Sequence, residues 1–384
     1  MNFPSPIYAD YASSAPPLPE VVEAMMEWLG GSHANPHADH LPGHRAARAI
    51  DDARHHIADL LDADPEGVIF TSGATESNNL ALKGLVGCCS GGIYFSPLDH
   101  SSIVEVANYL SVSGKCRTGV LEHDAQGSIS AAAVSSALGS GQGRSLVAIA
   151  HGNNEIGTIQ ALSAIGNVIA TDGHLLHVDA SQTAAHVPIS VSDMQISSLS
   201  ISGHKLYGPA GIGALWLEPA LRNELLPIFH GGGQQGGTRS GTVPTYLAVG
   251  LGVAARLARD RMEHSRAHLQ AMASQFLVAL ASRGFPPLII GHPSERLPGH
   301  LSLRFPGADA QELLTMLMPK VAFSTGAACA AGELRPSRVL HALGVEEDYA
   351  REVMRFSFGR SSEASDVALA VEHIVNAMHN LQTR

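Results

Sequence analysis

The chain has 384 residues, 45% hydrophobic and 15% charged; this suits a core-forming protein with one large domain plus a smaller one, or two medium ones, and argues against a disordered chain. Lys and Arg number 24 against 35 Asp and Glu, giving a net charge of −11 with no basic run, which disfavours direct nucleic-acid binding because phosphate contacts need clustered cations. The start, MNFPSPIYAD, lacks the basic head and apolar core of a secretion signal, and no apolar stretch approaches the ~18–20 residues that span a bilayer, so a cytoplasmic protein with no membrane contact is expected.

In chain order, a histidine cluster comes first: His33, His37, His40 and His44 have spacings that metal ligands could use on one helix face. Pro36, Pro42 and Gly43 break that helix, so no metal site is expected. Strands are predicted at Val68–Thr71, Ile93–Ser96, Leu146–Ala150, Leu175–Asp179, Ser198–Ile201 and Ile212–Trp216. Helices are predicted between several of them, at Glu76–Val86, Ser101–Ser111 and Leu162–Thr171. This alternation points to a mostly parallel α/β sheet, with ligands outside the carboxyl ends of its strands. From Thr242 to about Arg283 runs one long helical stretch. HLSLRF, a helix over Ala310–Met318, VAFS, a helix near Ser337–Leu343, VMRFSFG and a last helix then read as a smaller α+β unit. The expected division is a large domain over 15–255 and a small domain from 1–14 and 256–384.

The motifs carry the chemistry. In FTSGATESNN (70–79) a strand enters Ser72-Gly73-Ala74-Thr75 and a helix opens, which reads as a phosphate cradle or as an ordinary βα loop with a capping box. SPLDHSS (96–102) puts His100 at a strand-to-helix junction, as a site histidine or a capping one. HGNNEIGTIQ (151–160) places Asn154 at another strand end. HVDASQ (177–182) ends an apolar strand in Asp179, facing a ligand crevice or capping a helix. ISGHKLYGPAGIG (201–213) sets Lys205 on a tight loop, where a solvated lysine is the plainer reading. Taken together, a strand-end Asp and a following loop Lys suit pyridoxal phosphate (PLP): the Lys forms a Schiff base and the Asp pairs with the pyridinium nitrogen. HGGGQQGGTRSGT (230–242) is a Gly-rich loop carrying Arg239, Ser240 and Thr242, and MRFSFG (354–359) holds Arg355 in an apolar strand, paired internally or binding a carboxylate. In FSTGAACAAGE (323–333), Cys329 stands among small residues that pack almost nothing, as on a mobile or closely approached loop. Cys88 and Cys89 follow an apolar helix and Cys116 sits in a predicted strand; no Cys-x-x-Cys spacing occurs, and all four cysteines are expected to be thiols.

TSGATESNN, NNEIGTIQ, GGGQ…RSGT and STGAAC stand in the order and spacing of the cysteine desulfurases of the NifS/IscS type, and the chain resembles that family from about residue 7 to residue 360. The family lies in the class V aminotransferases. The resemblance implies a fold-type I PLP-dependent transferase, an α/β protein with a large, mostly parallel seven-stranded sheet and a smaller α+β domain. It implies that Lys205 carries PLP, Asp179 pairs with the ring nitrogen, Gln182 bonds the ring hydroxyl and His100 stacks on the ring and shuttles protons. Thr75, Ser202 and His204 would hold the phosphate, with Thr242 reaching over from a second subunit of a homodimer. Asn154 and Arg355 would bind the carboxylate of L-cysteine, and Cys329 would take its sulfur as a persulfide, releasing L-alanine. Either Lys205 or His100 would remove the Cα proton. A sulfur-acceptor protein is implied, for iron–sulfur cluster assembly or another sulfur supply. The chain departs from the family in ADYASSAPP, in GPAG, at Gln235 and Gly236, and in a C-terminus shorter than that of relatives that touch an iron–sulfur scaffold. Selenocysteine lysis, another fold-type I PLP reaction, or a non-catalytic sulfur-relay scaffold are the competing functions.

Overall fold

The computed structural model describes residues 6–31, 34–139, 143–325, 327–330 and 333–382, with the backbone alone at 327–330, 333–336 and 382. The chain opens with β1 (Ile7–Tyr8), α1 (Pro19–Gly30) and α2 (Leu41–Leu61). Strand and helix then alternate: β2 (Val68–Thr71), α3 (Ala74–Leu85), β3 (Gly92–Phe95), α4 (Ser101–Val112), β4 (Thr118–Val120), α5 (Ala131–Leu138), β5 (Ser145–Ala150), α6 (Leu162–Thr171) and β6 (Leu175–Asp179). After β7 (Ser198–Ser202) and β8 (Gly213–Leu217) come α7 (Thr245–Asp260) and α8 (Met262–Ser282). The remainder is β9 (Leu288–Ile289), β10 (His300–Arg304), α9 (Ala310–Leu317), β11 (Val321–Ala322), β12 (Ser324–Thr325), β13 (Ala327–Ala330), β14 (Glu333–Pro336), α10 (Arg338–Ala342), α11 (Glu347–Ala350), β15 (Val353–Ser357) and α12 (Ala364–Gln382).

The large sheet has seven strands in the order β2-β8-β7-β6-β5-β3-β4. Its pairs are parallel from β7 to β4, and β8 runs antiparallel to both β7 and β2. The strands β6, β7 and β8 are buried along their whole length, as a sheet covered on both faces requires. One apolar cluster joins α2, α6 and α7 to one face, and another joins α3 and α4 to the other. A third core is built from α8, β10, α9, β15 and α12, and it includes Ala9 from the N-terminal segment. That segment enters the third core because β1 pairs in parallel with β11. Gly213 opens β8 where a Cβ would meet Gly73 Cα at 2.7 Å and the Ile201 carbonyl at 2.5 Å, so only glycine lets β8 lie against the loop ahead of α3.

Several sequence expectations need correction. The strand predicted around Cys116, in KCRTGV, is shorter than that run: the edge strand β4 covers only Thr118–Val120. Cys116 lies before β4 and not within it. The stretch from Thr242 is two helices and not one: Arg261, at φ −112° and ψ 7°, leaves helical geometry between α7 and α8. Pro42 and Gly43 do not break a helix; they lie in the first turn of α2, where a missing N–H costs nothing. His40 is its N-cap, accepting from Gly43 N–H at 3.0 Å, and His44 contacts Asp39 at 3.1 Å, while His33 lies outside the described residues. Among the described residues, no helix is long and apolar enough to cross a membrane.

The edge of the sheet at β2 is closed by a side chain. Gln235 is buried, and its amide accepts from Phe70 N–H at 2.7 Å and donates to the Phe70 carbonyl at 2.9 Å. It replaces both hydrogen bonds that a further strand would make there. Gln235→Ala would leave both Phe70 groups unpaired. We predict a loss of about 2 kcal/mol in local stability, read as faster amide exchange at Phe70 with little change at β6. Unchanged exchange at Phe70 would contradict this role.

Candidate active site

The carboxyl ends of the strands open into one cleft of about 400 Å³. It is lined by Thr75 in the first turn of α3, His100 at the N-cap of α4, and Asn154 beyond β5. Asp179 and Gln182 line it from the end of β6, and Ser202, His204 and Lys205 from the end of β7. Distant motifs meet here because parallel strands deliver every βα junction to the same edge of the sheet.

Lys205 Nζ donates to the Ala12 carbonyl at 2.9 Å, and Gln182 Nε2 donates to the same oxygen at 3.0 Å. Burial first, and then the Arg355 charge, push the Lys205 amine down to about 8, against the opposing pull of Asp179 and Asp10. The Asp179 carboxylate accepts from Asn78 Nδ2 at 2.8 Å and from Ser181 N–H at 2.9 Å, which leaves it fixed at the rim of the sheet. His100 caps α4: its Nδ1 lies 3.2 Å from Ser102 N and 2.8 Å from Ser102 Oγ. Burial holds His100 below its ordinary range, with Asp179 opposing and Lys205 reinforcing the shift. His204 is likewise lowered, by burial and then by Lys205, and its Nδ1 lies 3.2 Å from Ser14 Oγ.

The loop ahead of α3 supports both of its sequence readings. Gly73 has φ +152° with open space where a Cβ would stand, and Ser72, Gly73, Ala74 and Thr75 all line the cleft. Glu76 meanwhile accepts from Ser72 N–H at 2.8 Å and pairs with Arg239 at 2.8 Å, so the loop is also capped. Arg355 is both internally paired and partly free. Nη1 donates to the Asn154 carbonyl at 2.8 Å, and Nη2 reaches Asp10 at 2.8 Å, Ser13 at 2.6 Å and Ser324 at 2.9 Å. Its Nε is buried with no partner. Thr242 is exposed and does not line this chain's cleft.

Around Cys329 the chain runs as a β-hairpin and not as the loop expected: Cys329 on β13 pairs with Leu334 on β14. Its thiol lies outside the described side chains. Before the hairpin, Ser324 of β12 sits opposite Arg355. After it, Ser337 hydrogen-bonds Glu155, and the Arg338 guanidinium bonds the carbonyls of Pro97 and Asp99, next to His100.

Sequence reasoning missed the groups that hold these residues. Asp10, Ala12 and Ser13 come from a segment read only as a departure from a family pattern. Asn78 and Ser102 lie inside quoted motifs, and a buried polar residue one turn past Thr75 was the available signal. Asp99 is fully enclosed, takes N–H bonds from Ser96 and Ala150 at 2.8 Å each, and is pushed up to about 7 by burial.

Residues 7–369 match the Aminotransferase class-V family model. The chain is 37% identical over 385 residues to the cysteine desulfurase IscS of Rickettsia bellii, covering 99% of this chain and 93% of that protein. A solved NifS-like protein superposes with a TM-score of 0.89 at 27% identity, over 97% of this chain and 99% of the other. SspA, solved in complex with cysteine, superposes with a TM-score of 0.80 at 37% identity, over 92% and 98% of the two chains. A cleft built at the strand ends from residues of five of the quoted motifs, 70–79, 96–102, 151–160, 177–182 and 201–213, in a chain similar to these proteins along nearly its whole length, places it in the class-V aminotransferase family, among the cysteine desulfurases of the NifS/IscS type.

Proposed function

We propose that the chain is a PLP-dependent cysteine desulfurase that converts L-cysteine to L-alanine and keeps the sulfur as a persulfide on Cys329. The observation that carries this reading is that a buried Lys205 amine, lowered to about 8, and the Asp179 carboxylate line one cleft, beside an open glycine-hydroxyl loop. These residues fit pyridoxal phosphate. Lys205 would bind its aldehyde carbon, Asp179 its ring nitrogen and Gln182 its ring hydroxyl, while Thr75, Ser202 and His204 would hold its phosphate at the open loop around Gly73. Bound there, the cofactor supplies an electron sink for the substrate Cα.

The chain's own residues supply the rest. Asn154, which lines the cleft, and Arg355, which bonds the Asn154 carbonyl and has a buried Nε without a partner, would take the substrate carboxylate. Lys205, once free as an amine, is placed to hold the Cα proton and return one to the product. The Cys329 thiolate attacks the substrate sulfur; the new S–S bond forms as the substrate C–S bond breaks, and that electron pair stays on carbon. Two protons complete L-alanine. The sulfur on Cys329 then passes to the thiol of an acceptor protein, in a reducing cytoplasm, for iron–sulfur clusters or another sulfur-containing product. The division into 15–255 against 1–14 with 256–384 belongs to the same proposal, supported by the separate apolar cores.

A homodimer is also proposed. The loop 230–242 is tied to β2 by Gln235 and to α3 by Arg239, so Thr242 is held facing outward, as a residue serving a neighbour's phosphate site would be. Leu226 and Phe229, 60% and 47% exposed, lie just before that loop and suit a contact between subunits. Light scattering should give a dimer; a PLP-loaded, active monomer would refute this.

Because the Lys205 amine sits at about 8 and not near 10.5, roughly a tenth of it is neutral at pH 7. Neutral amine is the reactive form, so the rate of PLP capture by the apoprotein should rise with pH, reach half its plateau near pH 8, and then level. A rate still climbing tenfold per unit beyond pH 9 would contradict the buried-amine assignment. Lys205→Ala should lose borohydride-reducible cofactor altogether.

After a single turnover without reductant, mass spectrometry should find one added sulfur (~32 Da, a persulfide) on the peptide containing Cys329. Cys329→Ser should still bind PLP and cysteine yet release neither sulfide nor catalytic amounts of alanine, whereas Cys88→Ser, Cys89→Ser and Cys116→Ser should each keep most activity. Sulfur mapped to another cysteine would overturn the mechanism while leaving the cofactor site standing.

A further inference from the structure

Behind the cleft, buried polar groups form a chain whose direction can be worked out. Asp179 can only accept, so the Asn78 amide must turn its Nδ2 toward Asp179 Oδ2, at 2.8 Å. The second Nδ2 hydrogen goes to Ser102 Oγ, also at 2.8 Å. Asn78 Oδ1 then faces His177 Nε2 at 3.0 Å, so that nitrogen carries a hydrogen. Burial keeps His177 neutral, and its Nδ1 accepts from Ser198 Oγ at 2.9 Å. Asn78, His177 and Ser198 are all fully enclosed.

The other branch reaches His100. Ser102 Oγ already accepts from Asn78, which leaves its hydroxyl hydrogen for His100 Nδ1 at 2.8 Å. Ser102 N–H points at the same nitrogen at 3.2 Å. Two donors aimed at Nδ1 make it an acceptor, so a neutral His100 carries its hydrogen on Nε2. Among the described residues, nothing hydrogen-bonds that Nε2. The charged groups around the ring are Asp179, Lys205, Arg338 and Glu155, from four different elements or loops.

We propose that Ser102 and Asn78 are positioning residues which hold His100 as the neutral Nε2–H tautomer, so that the imidazole offers the cleft a hydrogen-bond donor and cannot take a proton there. Ser102 fixes the tautomer. Asn78 orients the Ser102 hydroxyl and, with the same amide, holds the Asp179 carboxylate. With no lone pair of His100 open to the cleft, Lys205 is left as the group that takes the Cα proton, and the two candidates raised by the sequence reduce to one. This rests on the cofactor reading given above.

The test is histidine-selective 15N NMR of the PLP-loaded protein at pH 7, with His100 assigned by difference from His100→Gln. The expected spectrum has a protonated-type Nε2 and an unprotonated, acceptor-type Nδ1. Ser102→Ala removes one donor to Nδ1 and should raise the minor form about fivefold, and Ser102→Thr should restore the native pattern. Both variants should keep PLP as the native protein does. Asn78→Ala should disturb the His100 signals and also speed PLP loss roughly five- to tenfold, because Asp179 loses a donor. A native His100 that is protonated on Nδ1, or cationic, overturns the proposal, and so does a Ser102→Ala spectrum identical to the native one. Should Asn78→Ala not fold, the Ser102 pair decides alone. Borohydride trapping of PLP on Lys205 is scored in the same samples, so failure of the cofactor reading is seen separately from failure of the tautomer assignment.

Discussion

A lysine amine enclosed beside an arginine is the constraint on which the site depends. Two cations brought together away from water repel each other and are poorly hydrated, and the structure answers with acids and carbonyls carried in from elsewhere. Asp10 pairs with Arg355 at 2.8 Å, with both side chains largely buried. Ala12 offers its carbonyl to Lys205 and Gln182 together. Ser13 and Ser14 reach Arg355 and His204. Four residues of the N-terminal segment therefore contribute polar partners to a cleft whose walls come from the ends of β3, β5, β6 and β7 and the start of α3. That segment is placed by the parallel pairing of β1 with β11, so the core that holds β11 also positions Asp10, one of the acids that oppose the lowering of Lys205 by burial and Arg355.

The same logic holds the opposite wall. The loop 97–99 leaves β3 and must present His100 at a fixed angle, yet a loop has few hydrogen bonds of its own. Asp99 closes it from below, accepting N–H bonds at the ends of β3 and β5. Arg338 of α10 also closes it, through the carbonyls of Pro97 and Asp99. Since Arg338 follows directly on the hairpin that bears Cys329, one guanidinium registers the hairpin against the histidine wall. Ser324, at the other foot of the hairpin, bonds Arg355 and Asp10. Both feet of the hairpin are thus tied to residues beside the cleft: Arg355 and Asp10 at one foot, the backbone next to His100 at the other.

Much of this was legible in the sequence, for physical reasons that differ by element. The buried strands β5 and β6 are near-continuous apolar runs between turn residues, and α6 has the helical period, so their bounds come out within a residue or two. Lys205, Asp179 and His100 stand at strand ends, and the topology of a parallel sheet brings such ends together without any knowledge of side-chain packing. What stayed illegible depends on contacts between distant parts. Residues 10–14 show no periodicity that marks them as site residues, and Arg338 is an unremarkable cation on a short helix. Gln235 looked like a departure from a family pattern, whereas its role is visible only once β2 is seen to be an edge strand, with β8 on one side of Phe70 and, among the described residues, no strand on the other. The first turn of α2 misled for a related reason: proline and glycine are breakers in a helix interior but not at its start.

Arg355 shows how binding and sulfur transfer can be joined without any further device. Its Nη2 is shared among Asp10, Ser13 and Ser324, while its Nε has no partner. A carboxylate arriving at Nε adds a second anion beside Asp10, and the guanidinium must divide its charge between them. Any weakening of the Nη2 contacts that results is felt at Ser324, the last described residue but one before Gly326 and the hairpin. At the same time the Arg355 charge is more fully neutralised, which relieves the repulsion that Arg355 adds to burial in lowering Lys205. In the proposed reading, substrate binding acts in two directions from one side chain: along β12 toward Cys329, and across the cleft toward Lys205.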